Sequence, residues 1–236
     1  MKTSTSIALF ILLGLILLIA TAFSVSMPSD ANPKSGPANA TVVKERAAFN
    51  DRIKAGELEV ATFGSGCFWC VETNFDKVEG VVATISGYMG GVAETGNYKT
   101  VSSGRTQHIE VLQVIYDPNT VKYDGVVDVF FKTTDVLDGG GQFCDRGAHY
   151  RPVIFAHSDK HLEKASAAVK SLDASGRFSK PIAVPVLPAS VFVPAEDYHQ
   201  NYAKKNPRRY ASYRRGCGRG ARIKELWGSD AVVPLF

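Results

Sequence analysis

The run Cys67-Phe68-Trp69-Cys70 carries the most reactive side chains in the sequence. Leu58 to Phe63 before it reads as a short strand, and Phe68, Val71, Phe75 and Val78 after it recur at helical spacing. Cys67 therefore falls where a strand turns into a helix, behind Gly64-Ser65-Gly66. Free backbone N–H groups and the positive end of the helix dipole favour a thiolate there, which makes Cys67 a candidate nucleophile. A second group is Glu110, set in the apolar run His-Ile-Glu-Val-Leu-Gln-Val-Ile-Tyr. Burial in such a strand raises a carboxyl pKa and keeps the group protonated, as a proton donor must be. A third is the polar cluster Cys144, Asp145, His149 and Tyr150 ahead of an apolar strand, which has the look of a site wall.

Rival chemistries fit less well. The strand, Gly-x-Gly and helix order imitates a dinucleotide-binding turn, but Trp69 stands where close packing needs a third glycine. Cys67 and Cys70 at Cys-x-x-Cys spacing supply half a zinc site without a second half, and His157 and His161 lack a third ligand nearby, so no metal is expected. The blander alternatives are a buried structural cysteine pair and an edge-strand Glu110 facing water.

The chain around these groups has 236 residues, 45% of them hydrophobic, enough for one sizeable core plus appendages. Residues 1–22 read as a signal peptide or an N-terminal membrane anchor: Ile7 to Ile19 is apolar but for Gly14, and Ala20-Thr21-Ala22 fits a small-x-small cleavage site. The rest is then exported, to the periplasm or another extracytoplasmic space. Residues 23–40, rich in Ser, Pro, Asn, Ala and Gly, read as a flexible linker, leaving 41–236 as the working domain. Lys204, Lys205, Arg208, Arg209, Arg214, Arg215, Arg219, Arg222 and Lys224 form a basic C-terminal tail, read as solvated rather than as a nucleic-acid surface.

Within the domain, strands are expected at 80–88, 107–116, 152–156 and 181–187, with a long loop at 92–105 that carries Tyr98. Tyr123, Val127 and Phe130 mark a second helix. Asp159 caps a third, with Leu162, Ala165, Val169 and Leu172 as its buried stripe. A helical turn is expected at 198–202, and Gly216-Cys217-Gly218 reads as a mobile segment. The order strand, helix, strand, strand, helix, strand predicts an α+β, ferredoxin-like two-layer sandwich (split βαβ) followed by a C-terminal extension.

Gly66-Cys67-Phe68-Trp69, Gly87-Tyr88-Met89-Gly90-Gly91, Thr106-Gln107-His108-Ile109-Glu110, Tyr116-Asp117-Pro118, Asp145 to Arg151 and Tyr198-His199-Gln200 together resemble, in this order, the signatures of the peptide methionine sulfoxide reductase A family. The resemblance spans about 60–210. It implies thiol-dependent reduction of the S epimer of methionine sulfoxide, free or in oxidised proteins, with Cys67 as the nucleophile that becomes a sulfenic acid. It further implies that Phe68 and Trp69 hold the S-methyl group, that Glu110 protonates the sulfoxide oxygen, and that Tyr98, Tyr150 and Asp145 belong to the same pocket. Tyr210 would be a further tyrosine of that wall. A monomer with no bound cofactor is expected, fed by an external dithiol reductant such as a thioredoxin-like protein.

The chain departs from the family pattern at Cys70, Gln107, Ile109, Cys144 and Thr134-Asp135-Val136, and this leaves the thiol that resolves the sulfenic acid open. Cys217 ranks first because a glycine-flanked segment could reach the site; Cys70 follows, one helical turn from Cys67, and then Cys144. Two other classes compete: a secreted thiol-disulfide oxidoreductase built on Cys67 and Cys70, and a tethered binding domain without catalysis.

Overall fold

Strict alternation of apolar side chains sets the two faces of the central sheet. In Glu59–Gly64 (β1), Ala61 and Phe63 point one way; in Ile109–Tyr116 (β3), Leu112, Val114 and Tyr116 join them in one core. Ile109, Val111 and Ile115 point the other way, into two smaller apolar clusters. The coordinates are a computed structural model that describes residues 40–232, so the 1–22 segment and nearly all of the 23–40 segment lie outside the described residues.

Among the described residues the fold is mixed α+β. A six-stranded sheet runs in the order β7-β6-β1-β3-β2-β8, with Val81–Met89 as β2, Val153–Ala156 as β6, Val186–Pro188 as β7 and Val193–Pro194 as β8. β1 is antiparallel to both β3 and β6, β2 is antiparallel to β3, and β7 joins β6 in parallel. Gly141–Gln142 (β4) and Asp145–Arg146 (β5) form a separate small hairpin.

Four helices contribute to the larger core: Phe68–Phe75 (α2), Tyr123–Lys132 (α4), Asp159–Ala174 (α5) and, through Ile223 and Trp227, Arg219–Trp227 (α8). Phe63 lies between Phe75 and Phe130, with ring centroids 5.3 and 4.9 Å away, and each such aromatic pair is worth about 0.5–1.5 kcal/mol beyond its buried area. The other face is covered in part by Ala40–Lys54 (α1), whose Phe49 and Ile53 pack with Leu58, Ile85 and Ile115. Arg46 Nε of α1 donates to Gln113 Oε1 at 2.7 Å.

Several expectations are corrected. The 181–187 strand shrinks to Val186–Pro188, because Pro181 and Pro185 have no N–H to give a ladder. The cap of α5 is Ser158, whose side chain accepts from His161 N, and of the expected stripe Ala165 alone is fully buried. The 92–105 loop holds a 3-10 turn and the short helix Tyr98–Val101 (α3), capped by Asn97. The basic tail is not a solvated strand of charge. It folds into Tyr202–Lys205 (α6), Pro207–Gly216 (α7) and Arg219–Trp227 (α8), with Arg219 only 1% exposed.

Candidate active site

Gly66 makes the turn that delivers Cys67. Its φ of +77° suits glycine, and an added Cβ would come within 2.5 Å of Arg219 Nη2 and 2.7 Å of Gln142 Cβ. The chain then enters α2 with Cys67 at the N-cap position. Two free amides of this helix start find carboxylates: Cys67 N donates to Asp145 Oδ2 at 3.4 Å, and Phe68 N to Glu110 Oε2 at 3.2 Å.

Glu110 reaches this spot because it shares strand parity with Leu112 and Val114, so it points to the helix-bearing face. It pairs with Tyr88 across the β2–β3 ladder. With 1% exposure, burial pushes its pKa up to about 8, against the Phe68 amide and with the charges of Asp145, Cys70 and Glu196. It is a neutral carboxylic acid at neutral pH. Oε2 is occupied by the Phe68 amide, which leaves Oε1 to carry the proton.

The thiols depart from expectation. Cys67 is pushed well above the usual cysteine value by burial, its hydrogen bond with Cys70, the Cys70 charge, and then Glu110 and Asp145. These outweigh the helix N-terminus that favours a thiolate. For Cys70, burial raises the pKa, but the hydrogen bond from Cys67 and the guanidinium groups of Arg219 and Arg214 bring it down to about 6. Cys67 is thus the protonated partner and Cys70 the acidic one.

An aromatic wall surrounds Cys67. Phe68 is buried against Tyr88 and His199, while partly exposed Trp69 stacks on Tyr202 at 3.6 Å between centroids and meets Tyr213 edge-on. The Trp69 indole N–H donates to His199 Nδ1 at 3.0 Å, and burial lowers the His199 pKa to about 3, which keeps that nitrogen an acceptor. Tyr98 packs on the same imidazole, and its backbone N–H donates to Glu196 Oε1 at 2.9 Å. Tyr150 holds its proton tightly because of burial and the nearby Glu110, Cys67, Tyr98 and Asp145. The structure therefore brings Cys67, Phe68, Trp69, Tyr98, Glu110, Asp145 and Tyr150 to one place.

Tyr210 is not in that wall. Its hydroxyl meets Thr73 Oγ1 and accepts from Arg214 Nη1 at 3.0 Å, behind α2 and beside Cys70. Tyr210 and Arg214, four apart, share one face of α7, and it is Tyr213 that reaches the site, donating to Asp145 Oδ1 at 2.5 Å. Sequence reasoning missed Tyr213 and also Arg219, which donates to Ser65 O at 3.1 Å and Asp145 Oδ2 at 3.3 Å while lying over Phe143.

The remaining motifs are scaffolding. An added Cβ at Gly91 would strike the His108 ring at 2.5 Å, and the His108 ring nitrogen bonds Val92 O. Gln200 Oε1 accepts from Ser86 N, and its amide nitrogen donates to Ser86 O and Ala195 O, tying the segment that carries His199 to β2. His157 bonds Thr62 Oγ1, whereas His161 stacks on Tyr123 and meets Glu59, so the two do not form a metal pair.

Cys217 is not in a mobile segment: it closes α7, is 8% exposed, and is disulfide-bonded to exposed Cys144. Cys67 and Cys70 are free thiols. The sulfurs of Cys144 and Cys217 lie close to an Asp145 oxygen in a grouping that could suit a cation, but as a disulfide they are bonded to each other.

The family model for peptide methionine sulfoxide reductase matches residues 59–231. The chain is 45% identical over 173 residues to a peptide methionine sulfoxide reductase MsrA 2 of Staphylococcus aureus, covering 73% of this chain and 97% of that protein. It is 46% identical over 180 residues to the MsrA 2 of Rhizobium meliloti, covering 76% and 89%. A Vibrio cholerae protein named peptide methionine sulfoxide reductase MsrA/MsrB is 46% identical over 176 residues, or 75% of this chain and 47% of that longer protein. Among solved structures, reduced Mxr1 from Saccharomyces cerevisiae superimposes with a TM-score of 0.61 at 32% identity, covering 64% of this chain and 87% of that one. Methionine sulfoxide reductase A of Corynebacterium diphtheriae gives 0.54 at 33%, covering 64% and 76%.

Proposed function

The chain belongs to the peptide methionine sulfoxide reductase family, and from that premise we propose how its own residues divide the reduction of methionine sulfoxide to methionine. The sulfoxide enters with its methyl group against Phe68 and Trp69 and its oxygen towards Glu110, Tyr98 and Tyr150. Glu110 gives its proton to the oxygen, which makes the sulfur electrophilic. Cys67 attacks that sulfur and an S–S bond forms; the hydroxyl then passes to the Cys67 sulfur as the S–S bond and the sulfoxide S–O bond break, so that methionine leaves and Cys67 is left as a sulfenic acid. The thiol proton of Cys67 returns to Glu110, so the acid is restored and no proton is left over. Asp145, held by Tyr213 and Arg219, positions the Cys67 backbone.

The observation that carries this reading is a buried carboxylic acid, neutral at neutral pH, on the amide next to a buried cysteine. Thiol–disulfide exchange has no substrate oxygen to protonate. The test is consumption of separated S and R epimers of a sulfoxide peptide with a dithiol present. Consumption of the S epimer alone, abolished by Cys67→Ser, is expected; reduction of insulin disulfides with neither epimer consumed would sink it.

The same reading extends to the setting. The order β6-β1-β3-β2, antiparallel throughout, supports a ferredoxin-like split βαβ core. The exposed Cys144 of a disulfide supports a thioredoxin-like dithiol as electron donor, acting on a monomer that repairs oxidised proteins without a bound cofactor. Export rests on residues 1–22 and fits a disulfide outside the cytoplasm. Fractionation of cells making the full chain checks it, and recovery in the cytosol would count against it.

A further inference from the structure

The four cysteines form two pairs on either side of one carboxylate. Cys67 and Cys70 are buried free thiols one turn apart at the start of α2, where Cys70 N donates to Cys67 O at 3.0 Å. Cys144 and Cys217 are joined, with Cα atoms 4.9 Å apart, and Cys144 is exposed. Asp145 touches both pairs: Oδ2 accepts from Cys67 N at 3.4 Å, and Oδ1 lies 3.7 Å from Cys144 Sγ. α7 also borders both, since Tyr213 binds Asp145, Arg214 Nη1 donates to Cys70 O at 3.5 Å, and Cys217 ends the helix.

We propose that Cys70 resolves the Cys67 sulfenic acid, and that the Cys144 and Cys217 thiols then reduce the Cys67–Cys70 disulfide, carrying the oxidation to the surface. The inference rests on the sulfenic acid of the proposed reaction. In the first step the Cys70 thiolate attacks the Cys67 sulfur; an S–S bond forms, the S–O bond breaks, and the hydroxyl leaves as water with the proton that Cys70 released on ionising. Residues three apart in one helical turn sit within the span a disulfide bridges.

Cys70 is suited to this attack. Arg219, buried beside it, has Nε and Nη1 without hydrogen-bond partners among the described residues, and together with Arg214 it favours the Cys70 thiolate. In the second step Cys217, the buried member of the outer pair, attacks Cys67, and Cys70 leaves as the lower-pKa thiolate. Cys144 then attacks Cys217 and frees Cys67. Two electrons have moved outward: Cys67 and Cys70 are dithiol again, and Cys144–Cys217 is the disulfide. An external dithiol reduces it by attacking Cys144, the sulfur that faces solvent.

The relay fixes a stoichiometry. Fully reduced enzyme, stripped of reductant and given excess S-sulfoxide peptide with dimedone present, should release two methionines per chain. Cys70→Ser should release one, leaving dimedone on Cys67 and free thiols at Cys144 and Cys217. Cys217→Ser should also release one, but with a Cys67–Cys70 disulfide in the peptide map and no dimedone. The relay is overturned if Cys70→Ser releases two methionines and forms the Cys144–Cys217 disulfide. It is equally overturned if Cys217→Ser leaves Cys67 dimedone-reactive, and that arm decides alone should Cys70→Ser not fold. No methionine from the wild-type chain would instead defeat the sulfoxide reductase reading itself.

Discussion

Glu110 and Cys67 divide the chemistry because their surroundings differ in what they stabilise. Around Glu110, burial and neighbouring acids favour the neutral form, so a proton is present where an oxygen must receive one. Glu110→Gln keeps the shape and the contact to Phe68 N but has no proton to transfer. It should lower the rate of sulfoxide reduction by about 10²–10⁴-fold while leaving the circular dichroism spectrum intact, measured in single turnover with the S epimer. Both residues were legible in the sequence for physical reasons. A lone acid in an apolar strand and a cysteine at a strand-to-helix turn are local patterns. The raised pKa of Cys67 was not legible, because it comes first from burial and then from Cys70, Glu110 and Asp145 meeting in space.

At the scale of elements, the turn at Gly66 and the α7–α8 joint clamp the start of α2 from two sides. Gly66→Ala would place a side chain at positive φ and within 2.7 Å of Arg219 and Gln142. It should cost about 2–4 kcal/mol, read as a lower denaturant midpoint at unchanged slope, and displace Cys67 from its acid. Arg219→Met removes the cation that faces Asp145 in a buried site and should cost about 3–5 kcal/mol by the same measurement. A loss within 0.5 kcal/mol would show that Arg219 is not holding Asp145. The sequence hid this clamp, since a cluster of arginines looks the same whether solvated or folded. Arg219 and Tyr213 become recognisable only when α7 and α8 dock on β5 and α2. Gly91 is the opposite case: its glycine was visible, but the His108 ring that requires it is brought up from the residue ahead of β3.

For the whole molecule, the Cys144–Cys217 bond ties the small β4–β5 hairpin region to the C-terminal helices across 73 residues. A loop of that length constrains the unfolded chain by about 4 kcal/mol in the chain-entropy account. The oxidised protein should therefore unfold at higher denaturant than the reduced one, by about 2–4 kcal/mol, and coincident curves would contradict that. Redox state and stability are then linked, with the reduced enzyme the looser form. The layered core was readable from alternation in β1 and β3. The cover supplied by α1 was not, because its weak apolar pattern gains meaning only against Ile85, Ile115 and Leu58.

The most direct test of the account is the pH dependence of methionine release in a single turnover with the S epimer, for the wild type and Glu110→Gln. The wild-type rate should fall as pH rises through about 8, where Glu110 loses its proton, and the variant should be slow and lack that limb. A variant that matches the wild type in both rate and pH profile would remove Glu110 as the acid and with it the central claim.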